Sequence, residues 1–428
     1  MGLWSGSWLA CSLLVLAASH QQCDNAPTRK HQITCERLMS WNNMSKPIEE
    51  QRKRDGRLIA KGRLAAGKRE PRELGDCMDM PCVARFLTGN KDIKPPFIYK
   101  GKELKKVIRK EVRQMTDDEW HRLLAAIQEL KDNGVYDEIS LVHMSVTEAS
   151  NAHSGPAFFP WHREYIKRFE LELRRIDPEL YVPYWDSTLE SGLPNPPDSS
   201  IWTSELFGNG QGPVNVGPWG RWITDNDTSI QRSVGENGDP FSEKELQKFW
   251  EYTDIEMVLS QTGGPQLADR GCEMEMNWDW FELIHGNAHN WIGGDMLTTL
   301  YATRDPPFYM HHSFVDLIWE TWRVKHQAKQ QRETEYPKNK KCMTTLHWPT
   351  AVLIPFNKRF APRPSCAKEK PHCGSRYLFC DLSTDQAPRC VAKAATGGQC
   401  TGYKNGEDVC QKGKCVDGKC VDGGNLQK

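Results

Sequence analysis

Of the thirteen histidines in this chain of 428 residues, seven fall in two clusters whose spacing suits metal ligation. In the stretch WFELIHGNAHNWIGGDM, His285 and His289 stand one helical turn apart, with Glu282 just before them. Residues i and i+4 of an α-helix share a face, so two imidazoles in this register can hold one ion. The pair His311-His312 follows on another helical segment and offers a third ligand. The earlier cluster, SLVHMSVTEASNAHSGPAFFPWHREYIKRFE, carries His143, His153 and His162. His143 closes an apolar stretch resembling a last helical turn. His153 lies in a Ser-Gly-Pro loop, and His162 follows Pro160-Trp161 at a helix start. Three imidazoles can thus converge from helix, loop and helix. His20, His31, His121, His326, His347 and His372 stand alone and are assigned no role. Gly286 occupies the position where a zinc protease carries its glutamate base, so HGNAH is not that motif. Imidazoles with neither thiolate nor carboxylate suit copper. Two such coppers facing each other can bind dioxygen between them and pass it two electrons.

Four helical segments organise this region. TDDEWHRLLAAIQELKDNG starts at a Thr116 cap and ends at Gly134, with Leu123, Leu124, Ile127 and Leu130 on its apolar face. PWHREYIKRFELELRRIDP runs from Pro160, with Phe169, Leu171 and Ile176 along it, until Asp177-Pro178 stops it. The third segment contains HGNAH, and the fourth covers residues 307–330. The Pro-, Gly- and Asn-rich stretch between Ser191 and Gly238 reads as a long insertion loop.

Formal charge balances at 56 basic and 56 acidic residues, which argues against a general nucleic-acid or membrane-surface binder. MGLWSGSWLACSLLVLAASHQQ has an apolar run from Trp8 to Ala18 closed by small residues, the pattern of a secretory signal peptide cut after Ser19. The run is too short to span a membrane. Cys11 lies inside it, which leaves 14 of the 15 cysteines, an even number suited to disulfides. Asn43 and Asn226 head sequons open to glycosylation on the same route. The expected organisation is a signal peptide (residues 1–19), a basic arm (20–90), a helical domain (91–360) and a cysteine-rich module (361–428), in a soluble, secreted protein. From Lys46 to Arg72 the arm has 10 basic and 4 acidic residues and reads as solvated and partly helical, with a processing site or contact with an acidic matrix as the alternatives. Cys77 and Cys82 of CMDMPC are expected to staple it to the helical domain. The module places eight cysteines in 55 residues without a CxxC pair, so it reads as a disulfide scaffold and not a zinc site.

NAHSGPAFFPWHREYIKRFE, HGNAHNWIGGDM and DPPFYMHHSFVDLIWETW together resemble the two copper signatures of the type 3 copper family: tyrosinases, catechol oxidases and molluscan-type haemocyanin units. PYWD, from Pro183 to Asp186, is similar to that family too, and the resemblance covers roughly residues 90–360. The tail, with YLFCDL and GGQC, is more loosely similar to secreted tyrosinases of shell-forming invertebrates such as molluscs. The resemblance implies a mainly α fold, an antiparallel four-helix bundle holding a dinuclear copper centre, with long loops and the small disulfide-rich C-terminal module appended. It implies two copper ions per chain, one on His143, His153 and His162, the other on His285, His289 and His312. His311 competes for the last place. His312 is preferred because Asp316 follows one turn later, so that its carboxylate would support the ligand. Phe308, one turn before His312, reads as an aromatic wall beside the metals or as core packing. The partners implied are dioxygen and a phenol or catechol, whether a small molecule or a protein tyrosine, with no nucleic acid and no membrane. Oxygenation ortho to the hydroxyl and oxidation of the catechol to an o-quinone are the implied reactions.

Two residues depart from the family pattern. In related enzymes a glutamate and an asparagine after the first ligand of the second copper hold a water that deprotonates the phenol. Gly286 stands in the asparagine's place, with Glu282 as the available water-positioning acid and Asn287 and Asn290 nearby. Catechol oxidation is therefore the firmer expectation. Many relatives also carry a cysteine two residues before the second ligand of the first copper. Asn151 stands there, so no thioether can form and His153 is freer to move. Three function classes follow: a secreted copper phenol oxidase that cross-links or pigments an extracellular matrix such as shell, an oxygen carrier, and a structural matrix protein with little turnover. The single unit argues against the carrier, and the full ligand set argues against the inert matrix protein.

Overall fold

The computed structural model describes residues 23–54, 73–145, 152–224, 227–259, 277–337, 358–383 and 387–422. The expected signal peptide, the basic run after Arg54, Asn151, Asn226, Cys272 and Cys342 lie outside them. In chain order the helices are α1 (Arg29–Arg54), α2 (Met80–Thr88), α3 (Asp117–Asp132), α4 (Val135–Met144), α5 (Phe158–Ile176), α6 (Glu243–Glu251), α7 (Ile255–Val258), α8 (Phe281–Ile292), α9 (Pro307–His326) and α10 (Lys329–Thr334). Local chemistry sets their ends. Thr116 and Glu119 form a reciprocal capping box on α3, satisfying donors that a helix start leaves bare. Gly134, at φ 83°, takes the left-handed turn that separates α3 from α4. α5 stops at Asp177, because a residue before proline is pushed out of helical geometry.

α5 and α9 form the centre. Phe169 stacks on Tyr309 with ring centroids 3.9 Å apart, and Phe159 on Trp319 at 5.3 Å. α4 joins them through Tyr136, whose ring meets Phe169 at 5.9 Å and Tyr309 at 5.6 Å. α8 joins through Phe281, 5.1 Å from Phe159. Helices α4, α5, α8 and α9 make up a four-helix bundle; of the four segments read from the sequence, α3 lies outside it and packs against α4 and α5, and α4, which carries His143, takes its place.

Strands are short and pair in twos: β1 (Ile98–Tyr99) with β2 (Lys102–Glu103), β3 (Val107–Arg109) with β6 (Lys358–Phe360), and β4 (Gln211–Pro213) with β5 (Gln231–Ser233). In the tail, β7 (Leu378–Asp381) pairs with β8 (Arg389–Ala392), and β9 (Lys414–Val416) with β10 (Lys419–Val421). The parallel pair β3 and β6 joins the start of the helical domain to its end. It also delivers two buried cations, Arg109 and Lys358, to the carboxylate of Asp316 on α9. Arg163 of α5 donates to the same carboxylate at 2.6 Å, and Arg109 bonds Glu170 of α5 at 2.6 Å. These buried pairs pin α5 to α9, and breaking one partner of such a set costs about 3–5 kcal/mol. Asp316 does not support His312, whose Nδ1 has no hydrogen-bond partner. Three cations hold the carboxylate more strongly than a neutral imidazole does.

The stretch from Ser191 to Gly238 is not a loose insertion. Trp202, Trp219 and Trp222 are buried in the main core, and Arg232 of β5 grips Asp305 through two bonds of 2.7 Å. Its turns lack periodicity, so only tertiary packing reveals it as core. Cys77 pairs with Cys82, so the expected staple is a local loop and does not tie the arm to the domain. Lys167 of α5 holds this segment by donating to the Cys77 carbonyl at 3.0 Å. Ahead of the basic run the arm is packed on the helical domain: Cys35, Leu38, Met39 and Trp41 of α1 are buried, because α1 lies along α8.

In the tail, Cys366–Cys380, Cys373–Cys390, Cys400–Cys415 and Cys410–Cys420 are bridged. The module docks on the 190–205 stretch. Ser200 N donates to Lys393 O at 2.8 Å, Ala395 N to Asp198 O at 2.7 Å, and the Tyr403 hydroxyl to Gly192 O at 2.8 Å. Gly192 permits the contact, since a Cβ there would sit 2.6 Å from Val391.

Candidate metal centre

The two histidine clusters meet inside the bundle. His143 sits in the last turn of α4, His153 in the loop before α5, and His162 in the second turn of α5. Their ring centroids lie 5.2 Å (143 to 153), 5.0 Å (153 to 162) and 5.6 Å (143 to 162) apart. In the second set, the Nε2 atoms of His285 and His289 lie 3.3 Å and 3.2 Å from Nε2 of His312. Nitrogens held at about 2.0–2.1 Å from one ion at near-tetrahedral angles stand roughly 3.3 Å apart. The spacing is therefore that of a preformed ligand set. The two sets face each other, with His162 stacked on His312 at 4.3 Å.

Backbone carbonyls set the tautomers. Nδ1 of His162 lies 2.8 Å from the Phe158 carbonyl, Nδ1 of His285 3.2 Å from Glu282, and Nδ1 of His289 3.2 Å from Met296. A carbonyl only accepts, so each Nδ1 carries the proton and each Nε2 presents its lone pair. Other ring nitrogens have no hydrogen-bond partner among the described residues, including Nε2 of His162, Nδ1 of His153 and of His312, and both nitrogens of His311. Leaving a buried polar atom unsatisfied costs about 1–3 kcal/mol. An ion in each set would turn several of these atoms into bonds. Burial is the first cause that pushes all seven imidazoles toward the neutral, ligating form: His162 falls to about 3 and His289 to about 4. His143, His153, His285, His311 and His312 fall well below the ordinary histidine range, burial first and neighbouring histidines after it. The donor set is all imidazole, so the residues present fit copper.

His311 lies in the same group, with every candidate ligand atom within 4.8 Å of the others. Its ring stacks on Phe241 at 5.6 Å and on His285 at 5.2 Å. Phe308 stands between the sets, 4.9 Å from His143 and 4.3 Å from His312. Phe158, which the spacing of histidines did not flag, fills the opposite flank at 4.8 Å from both His162 and His285. Glu282 is buried, and its carboxylate accepts from the Ser154 backbone N–H at 2.7 Å. It thereby ties α8 to the loop that carries His153.

A small cavity of about 40 Å³ opens beside His143, His153, His285 and His289. Thr34, Arg37 and Leu38 of α1 line it as well. Sequence reading missed this contribution, because nothing local in α1 signals contact with residues some 250 positions away, as in Thr34 with Asn287.

A helical bundle that brings two buried imidazole triads face to face defines the class of dinuclear, all-histidine metal proteins. Comparison with known proteins narrows the class. The profile described as the common central domain of tyrosinase matches residues 133–325. A putative tyrosinase-like protein of Caenorhabditis elegans is 41% identical over 422 residues, covering 93% of this chain and 59% of that protein. Tyrosinase-like protein 1 of Margaritifera margaritifera is 31% identical, covering 67% of this chain and 61% of that protein. Tyrosinase of Streptomyces glaucescens is 30% identical, covering 51% of this chain and 83% of the enzyme. The chain belongs to the tyrosinase family of type 3 copper proteins. It spans about six tenths of the length of the nematode and pearl-mussel relatives.

Proposed function

We propose that this protein is a secreted dinuclear copper phenol oxidase that converts catechols, with dioxygen, to o-quinones. The observation that carries the reading is the pair of buried imidazole triads with Nε2 atoms already 3.2–3.3 Å apart in one of them. His143, His153 and His162 would hold one copper, and His285, His289 and His312 the other. His312 is preferred to His311 because its Nε2 meets those of both His285 and His289. The chemistry that copper supplies when bound is two-electron transfer between dioxygen and the ring. The chain's residues do the rest. Phe158 and Phe308 exclude water and give the ring an apolar wall. The carbonyls of Phe158, Glu282 and Met296 hold three imidazoles in the ligating tautomer. Glu282 steadies the His153 loop and borders the cavity, a position from which a carboxylate could hold a water beside an incoming phenol. Hydroxylation of monophenols rests on that second use of Glu282 and is the less supported half of the activity.

The signal-like leader and the described disulfides fit export. Among the described residues no helix is long and apolar enough to cross a membrane. Quinones react with lysine, cysteine and histidine side chains, so cross-linking or pigmenting an extracellular matrix is the role that fits a secreted oxidase. The test is metal content and the near-ultraviolet spectrum of purified protein before and after hydrogen peroxide, then oxygen uptake with catechol and with tyrosine. Two coppers per chain, a new near-ultraviolet band and catechol turnover are expected. Folded protein that takes up no copper would leave the inert matrix protein as the better reading.

A further inference from the structure

A run of tyrosine and tryptophan rings leads from the histidine site to the surface. Trp161 and Tyr165 of α5 stack on each other at 5.0 Å, and both reach His143, at 5.7 Å and 5.8 Å. Tyr165 stacks in turn on Tyr309 of α9 at 5.8 Å, with the two hydroxyls 3.2 Å apart. Tyr309 meets Tyr136 of α4 at 5.6 Å, and Tyr136 meets Trp222 at 4.8 Å. Trp222 lines a surface pocket of about 90 Å³ together with Lys131, Asp137, Ser140, Leu141 and Ile223.

Phenol and indole give up an electron far more readily than the benzene ring of phenylalanine. Phe308 and Phe169 pack beside the run without interrupting it. Electron transfer through protein weakens steeply with distance, so several steps between touching rings outrun one long step. No step here exceeds 5.8 Å between ring centroids. Aromatic packing alone would be served as well by phenylalanine. Instead Tyr136, Tyr165 and Tyr309 keep three hydroxyls inside the core.

An oxidised phenol must also release its proton, and the fold supplies a way out. The Tyr309 hydroxyl lies 3.4 Å from Oγ of Ser140, and Ser140 lines the pocket beside the carboxylate of Asp137. Asp137 also pairs with Lys131 at 2.6 Å, so the ammonium that stands 5.4 Å from the Trp222 ring centre carries its own counter-charge. Leu141 and Ile223 are exposed at the rim and offer a phenol ring an apolar seat.

We propose that these rings carry oxidising equivalents outward and give the protein a second, one-electron activity: hydrogen peroxide is reduced at the copper-loaded histidine site while phenols are oxidised at the surface pocket. Each phenol gives up one electron and one proton. Trp222, Tyr136, Tyr309 and Tyr165 relay the electron inward, each losing one and regaining one in turn. One peroxide takes two electrons and two protons to become two waters, and two phenols leave as phenoxyl radicals. The protons released to Asp137 and solvent match the two that peroxide takes up. The donor never enters the histidine cavity, so a tyrosine on a folded protein can serve. The proposal rests on the proposed copper centre and on no step of catechol oxidation.

The test mixes the full copper-loaded chain with hydrogen peroxide, freezes it at once and records electron paramagnetic resonance. A parallel assay supplies syringol (a phenol with a methoxy group on each ortho carbon) as donor. Its ortho positions are blocked, so it cannot pass through a catechol, and its coloured coupling product reports one-electron oxidation alone. An organic-radical signal that the copper-free chain lacks, and peroxide-dependent coupling, are the expected results. Peptide mapping after spin trapping should place the radical on Tyr136 or Trp222. Tyr136→Phe, which keeps the ring, should slow the coupling at least tenfold and leave catechol oxidation unchanged. If that variant fails to fold, Trp222→Phe must give the same split. A chain that oxidises catechol yet forms no protein radical, or couples syringol equally fast in the variant, overturns the proposal. Radical and coupling without catechol oxidation keep the relay and remove the oxidase reading, whereas a chain that takes up no copper removes both.

Discussion

His311 and His312 are adjacent, buried and both in the second histidine set, yet one residue of helix rotation gives them different contacts. His312 meets two other Nε2 atoms at 3.2–3.3 Å, while His311 stacks on Phe241 and His285. Replacing His312 by alanine should halve the copper content and abolish oxidation. His311→Ala should keep both coppers and lose stability through its vacated stack. Copper analysis of the two purified variants decides the point, and copper loss in His311→Ala alone would reverse the assignment. Asp316 presents a different kind of dependence. Its carboxylate faces Arg109, Arg163 and Lys358, so Asp316→Asn leaves three buried cations short of a counter-charge. Urea unfolding should show a loss of about 3–5 kcal/mol. A change under 1 kcal/mol would mean that Glu170, paired with Arg109, and Glu320, 2.6 Å from Arg163, suffice as partners.

At the scale of elements, the bundle and the tail have separate duties. Helices α4, α5, α8 and α9 supply all six proposed ligands apart from His153, which the loop before α5 provides. The tail packs on the 190–205 stretch through backbone bonds and the Val391 contact at Gly192. Chain ending at Arg363 should therefore fold, keep its copper and melt several degrees lower than the full chain, as differential scanning calorimetry would show. Loss of copper from soluble truncated protein would mean that the tail shapes the site through that stretch. Arg363 is retained in this design because it pairs with Asp186 at 2.6 Å and with Glu243.

For the molecule as a whole, the proposed copper centre predicts a link between metal and fold. A ligand that binds only the folded chain stabilises it by RT ln(1 + [L]/Kd), about 4 kcal/mol at a thousandfold excess over Kd. Stripping copper should accordingly lower the melting temperature and leave secondary structure intact, since buried ion pairs and stacked aromatics also pin the bundle. Circular dichroism before and after chelation gives the comparison. An apo protein that melts at the same temperature would show that the sets bind metal too weakly to matter.

Local pattern made much of this legible in advance. Helix registers place His285 with His289 and cap α3 at Thr116, because one-turn spacing and capping act between near neighbours. The proposed membership of both triads rests on the same short-range logic joined to the family's signatures, and the structure brings these histidines together. Four outcomes depended on tertiary structure. Asp316 turned to cations from β3, β6 and α5 instead of to His312. Cys77 found Cys82 and no distant partner. The aperiodic 191–238 stretch became core through its tryptophans. The arm's first helix came to rest over the site, through pairs such as Thr34 with Asn287. Each of these is a contact between residues far apart in the chain, or a choice among competing partners. Such choices are settled by which groups the packed fold brings within reach, and composition and periodicity carry no record of that.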